Sequence, residues 1–391
     1  TSIKDLSPVA GWPNLRGSVA LKDDPVAAAD ASPVARLREA GAVFIGKTAT
    51  PESGSRIVTR STVHGVTANP FDPSLTPGGS SGGAAAALAL GMGTLATGTD
   101  GAGSIRIPAA FCGVFGLKPG FGRIPAFPPS HFMPHSVTGP MARSAEDLAA
   151  MTKVMTGRDV RDPFAWPVPF DDAAVSPSAQ GLRIALSYDL GTGRRPAPTV
   201  VAALDRIAGL LRSASAAVEE ASPNWPVDPA KPFEVFWTTS YTGFLDLYPC
   251  EKAAQMDPLL HRIAALGRAV DTSAYHTALN ERLALTATAH QFLTRYDAVL
   301  CPSVIGPAFD IETEAPQGER PDDWGWSPYC YVFNMTGQPA LAVPASRDAG
   351  GLPRGVQIAA RTGREEVLLS LALACEVLGA SAERPAILEQ S

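Results

Sequence analysis

Short continuous apolar runs alternate along the chain with longer stretches whose apolar residues recur at helical spacing. In "ASPVARLREAG" (31–41), Ser32 stands as an N-cap, Pro33 at the first helical position and Gly41 at the helix end. The apolar run "AVFIG" (42–46) that follows predicts a buried strand, with Lys47 at its carboxyl end. Residues 83–92, "GAAAALALGM", entered through glycines, predict a buried helix; "TLATGT" (94–99) predicts the next strand and 100–106 a tight glycine turn. "RSAEDLAAMTKVMTG" (143–157) predicts a helix capped by Ser144, with acids in its first turn. Residues 157–182, rich in Pro and Asp, read as a surface connection.

The second half repeats the alternation. "RIALSYD" (183–189), "DAVLCPS" (297–303), "QPALAVPA" (338–345) and "RGVQIAAR" (354–361) predict strands. Helices are expected near 198–213, 232–247, 273–295 and 364–379, and 305–326 reads as a long polar loop bordering a site. No repeat of fixed period is present. The alternation predicts one α/β domain with helices on both faces of a central sheet. In such sheets, sites gather beyond the carboxyl ends of strands.

Composition narrows the function. The chain has 391 residues, 45% hydrophobic and 18% charged, enough for a large core and too apolar for disorder. Net charge is −6 with no Lys/Arg run, which argues against nucleic acid and anionic membranes as partners. The run at 84–98 is too short and too glycine-punctuated to span a bilayer. Cys112, Cys250, Cys301, Cys330 and Cys375 are scattered and odd in number, so neither a disulfide framework nor a zinc site is expected. They fit a reducing compartment, the cytoplasm. No signal peptide is seen, and because the chain starts at Thr1 its natural N-terminus is expected to lie outside this sequence.

The stretch "PGGSSGGAAAALALGMGTLATGTDGAGSIR" (77–106) invites several chemistries. Gly79, Ser81 and Gly83 satisfy G-x-S-x-G, but no strand precedes them, and no histidine lies beyond His290 to complete a hydrolase triad. A phosphate loop is disfavoured because "GGSSGG" lacks the Lys-Ser/Thr pair. His64, His131, His135, His261, His276 and His290 show no metal-binding spacing. His131 and His135 belong to an aromatic loop, "AFPPSHFMPHS", that suits a pocket wall. A buried lysine offers a different base. Desolvation lowers its pKa from about 10.4 by as much as roughly 3–5 units, so it can accept a proton relayed by a serine. Clustered glycines let backbone N–H groups converge on an oxyanion.

These residues resemble the amidase signature family. The resemblance rests on "GAVFIGKTATPE" (41–52), "TPGGSSGGAAAALALGMGTLATGTDGAGSIRIPAAFCGVFGLKPGFGRIP" (76–125), "GPMARSAEDLA" (139–149) and "FNMTGQPALAVP" with "GLPRGVQIAAR" (333–361), in that order along the whole chain. It implies an α/β/α sandwich around a large mixed central sheet. It implies catalysis by Lys47, Ser80 and Ser104, with Ser80 bridging and its bond to Gly79 cis. The backbone N–H groups of Gly101, Ala102, Gly103 and Ser104 are implied as the oxyanion hole, and Ser81, Asp100 and Arg106 as supports. Ala102 departs from the family's glycine; were φ positive there, alanine would cost about 1–2 kcal/mol. The family also carries a mostly helical stretch before a strand like "SIKD"; residues 1–391 are therefore expected to form a single domain lacking that part.

The expectation is an amidase that forms an acyl-enzyme on Ser104 through a Lys47–Ser80 relay, without cofactor or metal. Its substrates are expected to be small apolar or aryl amides, as in the bacterial aryl acylamidase and urethanase-like group. Carbamate hydrolysis, the glutaminase subunit of a tRNA amidotransferase and a silent homologue acting as a binding subunit stand as alternatives. A homo-oligomer is left open.

Overall fold

The computed structural model describes residues 1–319, 324–380, 384–385 and 388. The strands are β1 (Ser2–Lys4), β2 (Gly46–Thr48), a small ribbon of β3 (Arg60–Ser61) and β4 (Gly65–Val66), then β5 (Leu95–Asp100), β6 (Phe115–Lys118) and β7 (Val137–Ala142). β8 (Arg183–Leu186), β9 (Ala217–Glu220), β10 (Ala298–Pro302), β11 (Ala340–Arg347) and β12 (Pro353–Ala360) complete the set. Outside the ribbon, ten strands form one sheet in the order β2-β1-β5-β7-β6-β11-β12-β10-β8-β9. The ends of the sheet are parallel, and the middle, from β5 to β10, is antiparallel. The mixed sheet agrees with the expected α/β architecture.

The helices are α1 (Ser32–Glu39), α2 (Gly82–Ala89), α3 (Arg106–Cys112), α4 (Ala145–Met155), α5 (Pro198–Ser213), α6 (Ala230–Leu245), α7 (Cys250–Ala253), α8 (Pro258–Arg268), α9 (Thr272–Arg295), α10 (Tyr331–Met335) and α11 (Glu365–Val377). α4, α5 and α11 bury Leu148, Leu204, Ile207, Leu368 and Leu371 against Leu117, Ile184, Leu341 and Ile358 of the sheet. α2, α3 and the Ile105 that precedes α3 bring Ala85, Leu88, Ile105 and Ala109 into a separate cluster around Ala96 and Met141 of β5 and β7. α6 and α8 bring Phe233, Trp237, Tyr241, Phe244 and Leu260 over the turn that holds Ala102.

The stretch 42–46 departs from expectation. Val43 is 75% and Ile45 57% exposed, and only Gly46–Thr48 is strand. The reason lies in its neighbour: β2 is an edge strand, and β1 offers three residues to pair with. α1 is also shifted by one residue: Ala31 is its N-cap, while Ser32 Oγ donates to Asp159. Ser144 caps α4 as expected, its side chain accepting from Asp147 N.

Candidate active site

β1 and β5 run parallel, side by side, and deliver the site's lysine and its turn. Lys4 ends β1 and is fully buried. Its Nζ lies 2.7 Å from Ser80 Oγ, 2.8 Å from Ser81 Oγ and 2.9 Å from Thr99 Oγ1. Burial holds its pKa well below the usual lysine value, and the charge of Asp100 offsets only part of this. A neutral amine with three hydroxyls around it can donate to two and accept from the third.

Lys47 is elsewhere, which corrects the expectation that it serves Ser80. In the parallel pairing Ile3 faces Lys47, and Lys4 faces Thr48. Registered neighbours share a face of the sheet and successive residues alternate faces, so the two lysines point to opposite sides. Lys47 Nζ donates to Ser7 O at 2.8 Å and Asn14 Oδ1 at 2.9 Å, and pairs with Asp5 Oδ1 at 3.2 Å. Asp5 also takes His64 Nε2 at 3.0 Å. Burial raises the Asp5 carboxyl, but the His64 hydrogen bond and the Lys47 charge outweigh it and hold it below its ordinary value. The sequence signal for Lys4 is "SIKD" itself, a second lysine at a strand end.

The serines sit where glycines let backbones meet. The Gly79–Ser80 peptide is cis. Thr59 anchors this loop: its hydroxyl donates to Gly78 O at 2.8 Å and accepts from Gly82 N at 3.0 Å. At Gly83 an added Cβ would stand 2.5 Å from Ala49 N, so α2 can start this close to the chain after β2 only with glycine there. Ser81 Oγ meets both Lys4 and the backbone of Thr99, and Ser81 N donates to Ser104 O at 3.1 Å. The loops of Ser80 and Ser104 are thereby tied together.

After β5 the chain makes the turn 101–105 and enters α3. Asp100, fully buried, organises that turn. Its Oδ1 accepts from Gly103 N at 2.7 Å, and its Oδ2 from Ile105 N at 3.1 Å and Arg106 Nε at 3.0 Å. Arg106 Nη2 and Asn334 Nδ2 add bonds to Oδ1 at 2.9 and 3.0 Å. Burial opposes ionisation of Asp100, but the Arg106 charge and hydrogen bonds prevail and hold its carboxyl well below the usual range. Arg106 in turn reaches Asn334 Oδ1, Gln357 Oε1 and Cys330 O. Asp100 and Arg106 are therefore a brace for the turn. Asn334 and Gln357, absent from the sequence-based set, complete it from a distant helix and strand, and Thr99, also absent from that set, contacts Lys4 and Ser81 instead.

This geometry corrects the oxyanion set. Asp100 takes the Gly103 N–H, so Gly103 has no free donor. The N–H groups of Gly101, Ala102 and Ser104 make no hydrogen bond among the described residues. The positive φ of the turn falls at Gly103, at 115°, and not at Ala102. Ala102 therefore carries none of the feared backbone cost, and its methyl packs in the cluster of Phe132, Phe233 and Trp237.

Ser80, Ser104, Thr99 and Gly101 line one cleft with Phe127, His131, Phe132, Trp237 and Tyr241. His131 packs at 4.9 Å from the Tyr241 ring and 4.7 Å from Phe244. Burial, then the charge of Arg16, lowers His131 to about 4, so the ring is neutral at pH 7. His135 is buried against Phe236 and Phe132 and is lowered to about 3, by burial first and then Arg282. Of the two histidines of the aromatic loop, His131 alone is a wall residue of this cleft.

Comparison with known proteins gives the geometry its relatives. The amidase family profile matches residues 1–369. An acylamidase of Rhodococcus erythropolis is 34% identical over 383 residues, covering 95% of this chain and 79% of that protein. The structure of a 6-aminohexanoate cyclic dimer hydrolase complexed with substrate aligns with a TM-score of 0.90 at 28% identity, over 99% of this chain and 86% of that one. A bacterial aryl acylamidase of the amidase signature enzymes aligns at 0.88 with 27% identity, over 97% and 82% of the two chains. Serines lining one cleft with a buried lysine behind them, on a mixed sheet shared with these enzymes, belong to a hydrolase acting on amides, and the chain is a member of the amidase signature family.

Proposed function

We propose that the protein hydrolyses small amides through an acyl-enzyme on Ser104, with Lys4 as the base and Ser80 as the proton carrier. Ser104 Oγ attacks the amide carbonyl carbon. Its proton moves to Ser80 Oγ as the Ser80 proton moves to Lys4 Nζ. The carbonyl oxygen, now negative, accepts from the free N–H groups of Gly101, Ala102 and Ser104. The proton returns through Ser80 to the leaving nitrogen, the C–N bond breaks, and an ester to Ser104 remains. Water then attacks the ester with the same relay taking its proton, and Ser104 is restored.

One observation carries this reading: a fully buried lysine amine 2.7 Å from Ser80 Oγ, in a site whose cleft also holds Ser104. The aromatic walls, Phe127, Phe132, Trp237 and Tyr241, favour amides with an aryl or apolar part. The acylamidase and aryl acylamidase relatives support the same class. The test is amine release from a panel of anilides, aliphatic amides, carbamates and glutamine. Anilide turnover by the parent that vanishes in Ser104→Ala and in Lys4→Met is expected. Parent-like turnover by either variant overturns the mechanism, and a preference for carbamates or glutamine overturns the substrate class.

A further inference from the structure

Among the described residues, the cleft wall contains no aspartate or glutamate, and Arg16 is its one formally charged side chain. The backbone of Arg16 is fixed from both sides. Its N–H donates to Asp5 O at 3.1 Å, and its carbonyl accepts from Ser53 N at 2.8 Å. It sits in the left-handed region, at φ 52°, as does Ser53 at 51°. Its guanidinium makes no hydrogen bond or ion pair among the described residues. By contrast, Arg56 is paired with Asp257 and Glu314, Arg106 with Asp100, Arg123 with Glu366, and Lys47 with Asp5.

Two more groups beside it are unanswered. Ser53 is 4% exposed, lines the cleft, and its Oγ has no partner. His131 Nε2 is buried without a partner as well. Ser53 and His131 are linked through Tyr241, whose hydroxyl donates to Ser53 O at 3.1 Å and whose ring packs on His131, and Arg16 is tied to Ser53 by the backbone bond. Arg16 is close enough to His131 for its charge to favour the neutral ring. Buried polar atoms without partners are costly, and a guanidinium fork matches a carboxylate in shape and charge.

We propose that Arg16, Ser53 and His131 form a carboxylate-binding corner of the cleft, so that the preferred substrates are amides that also carry a carboxylate. The corner offers a guanidinium, a hydroxyl and a neutral imidazole N–H to the two carboxylate oxygens, against aromatic walls that exclude water. This rests on the amide-hydrolase reading above.

The test uses two matched pairs, each an acid against a neutral isostere. N-phenylsuccinamic acid is compared with N-phenyl-4-methylpentanamide, and 4-acetamidobenzoate with N-(4-isopropylphenyl)acetamide. The first pair places the charge on the acyl side and the second on the amine side. The parent is expected to favour the acid in one pair by roughly ten- to a hundredfold in kcat/KM. Arg16→Asn, whose side chain tolerates the left-handed backbone, is expected to abolish that ratio, and Arg16→Lys to keep part of it. Neutral members cleaved as well as the acids in both pairs overturn the corner while amide hydrolysis stands. If none of the four is cleaved, the amide reading fails for these compounds, and binding decides the corner. Both acids are then titrated into Ser104→Ala and into Ser104→Ala/Arg16→Asn. At least tenfold weaker binding of one acid without Arg16 supports the corner, and equal binding overturns it.

Discussion

At the scale of single residues, two lysines at neighbouring strand ends have different fates. Lys4→Met is expected to lower kcat by roughly 10²–10⁴, the usual weight of a general base. Lys47→Met is expected to remain far closer to the parent, because Lys47 reaches Asp5, Ser7 and Asn14 rather than the serines. Comparable losses in the two variants, measured on one anilide, overturn the assignment of Lys4. The pH profile carries a second sign. Lys4 must be neutral to accept a proton, so kcat/KM falls as pH drops through its folded pKa. Burial places that limb well below 10.5, and a profile whose acid limb appears only near 10.5 contradicts it. Ala102→Gly removes a buried methyl and adds backbone freedom, so a loss of roughly 1–2 kcal/mol by denaturant titration is expected, with no gain in kcat. The resemblance made Ser80, Ser81 and Ser104 legible because their glycine-rich setting is so specific. Lys4 was not, because two strand-end lysines differ only in the face they take, and register sets the face.

At the scale of elements, legibility followed length and capping. α5 and α9 lie within about a residue of the ranges expected from apolar spacing, at Pro198–Ser213 and Thr272–Arg295. α8 was passed over, although Asp257 caps it, Pro258 opens it, and Leu260, Ile263 and Ala264 face inward. "AVFIG" misled because an apolar run carries no information about whether a partner strand extends that far. The contact of α2 with the chain after β2 makes a prediction. Gly83→Ala forces a methyl against Ala49 N and O, at 2.5 and 2.7 Å, both backbone atoms that have little room to yield. A loss of about 1–3 kcal/mol is expected, together with reduced kcat because the Ser80–Ser81 loop leads directly into α2. An unchanged melting temperature would falsify this account of the close approach.

At the scale of the whole molecule, buried charge lies along the middle of the sheet. Lys118, at the end of β6, is fully enclosed, and its Nζ donates to Pro119 O at 2.9 Å. Burial, then the Arg106 charge, lowers it to about 7, against the opposing pull of Asp100 and Glu365. The native state therefore binds fewer protons than the unfolded chain between about 7 and the lysine's ordinary 10.5. Stability must rise with pH across that window, by roughly 1 kcal/mol per unit from this group. Lys4 and Lys47 act with the same sign. The thiols of Cys112, Cys301, Cys330 and Cys375, raised by burial, act with the opposite sign, so the check is a difference: in urea titrations at pH 7.5 and 9.5, Lys118→Met should gain less stability, or lose more, than the parent. A slope that Lys118→Met leaves intact assigns the effect to the other two lysines. None of this was legible beforehand, because enclosure is a property of the assembled sheet and not of the run "FGLKPG".

Ser80 lines the cleft, whereas Lys4 stands behind it, out of the cleft wall. A deprotonated amine is itself a strong acyl acceptor, and an ester on Ser104 would be a ready donor. Direct contact between them would end in self-acylation, a stable amide that no later step could clear. In the proposed mechanism Ser80 would carry protons between the two while letting nothing larger pass, so that it would act as chemical insulation and spare the amine from the enzyme's own intermediate.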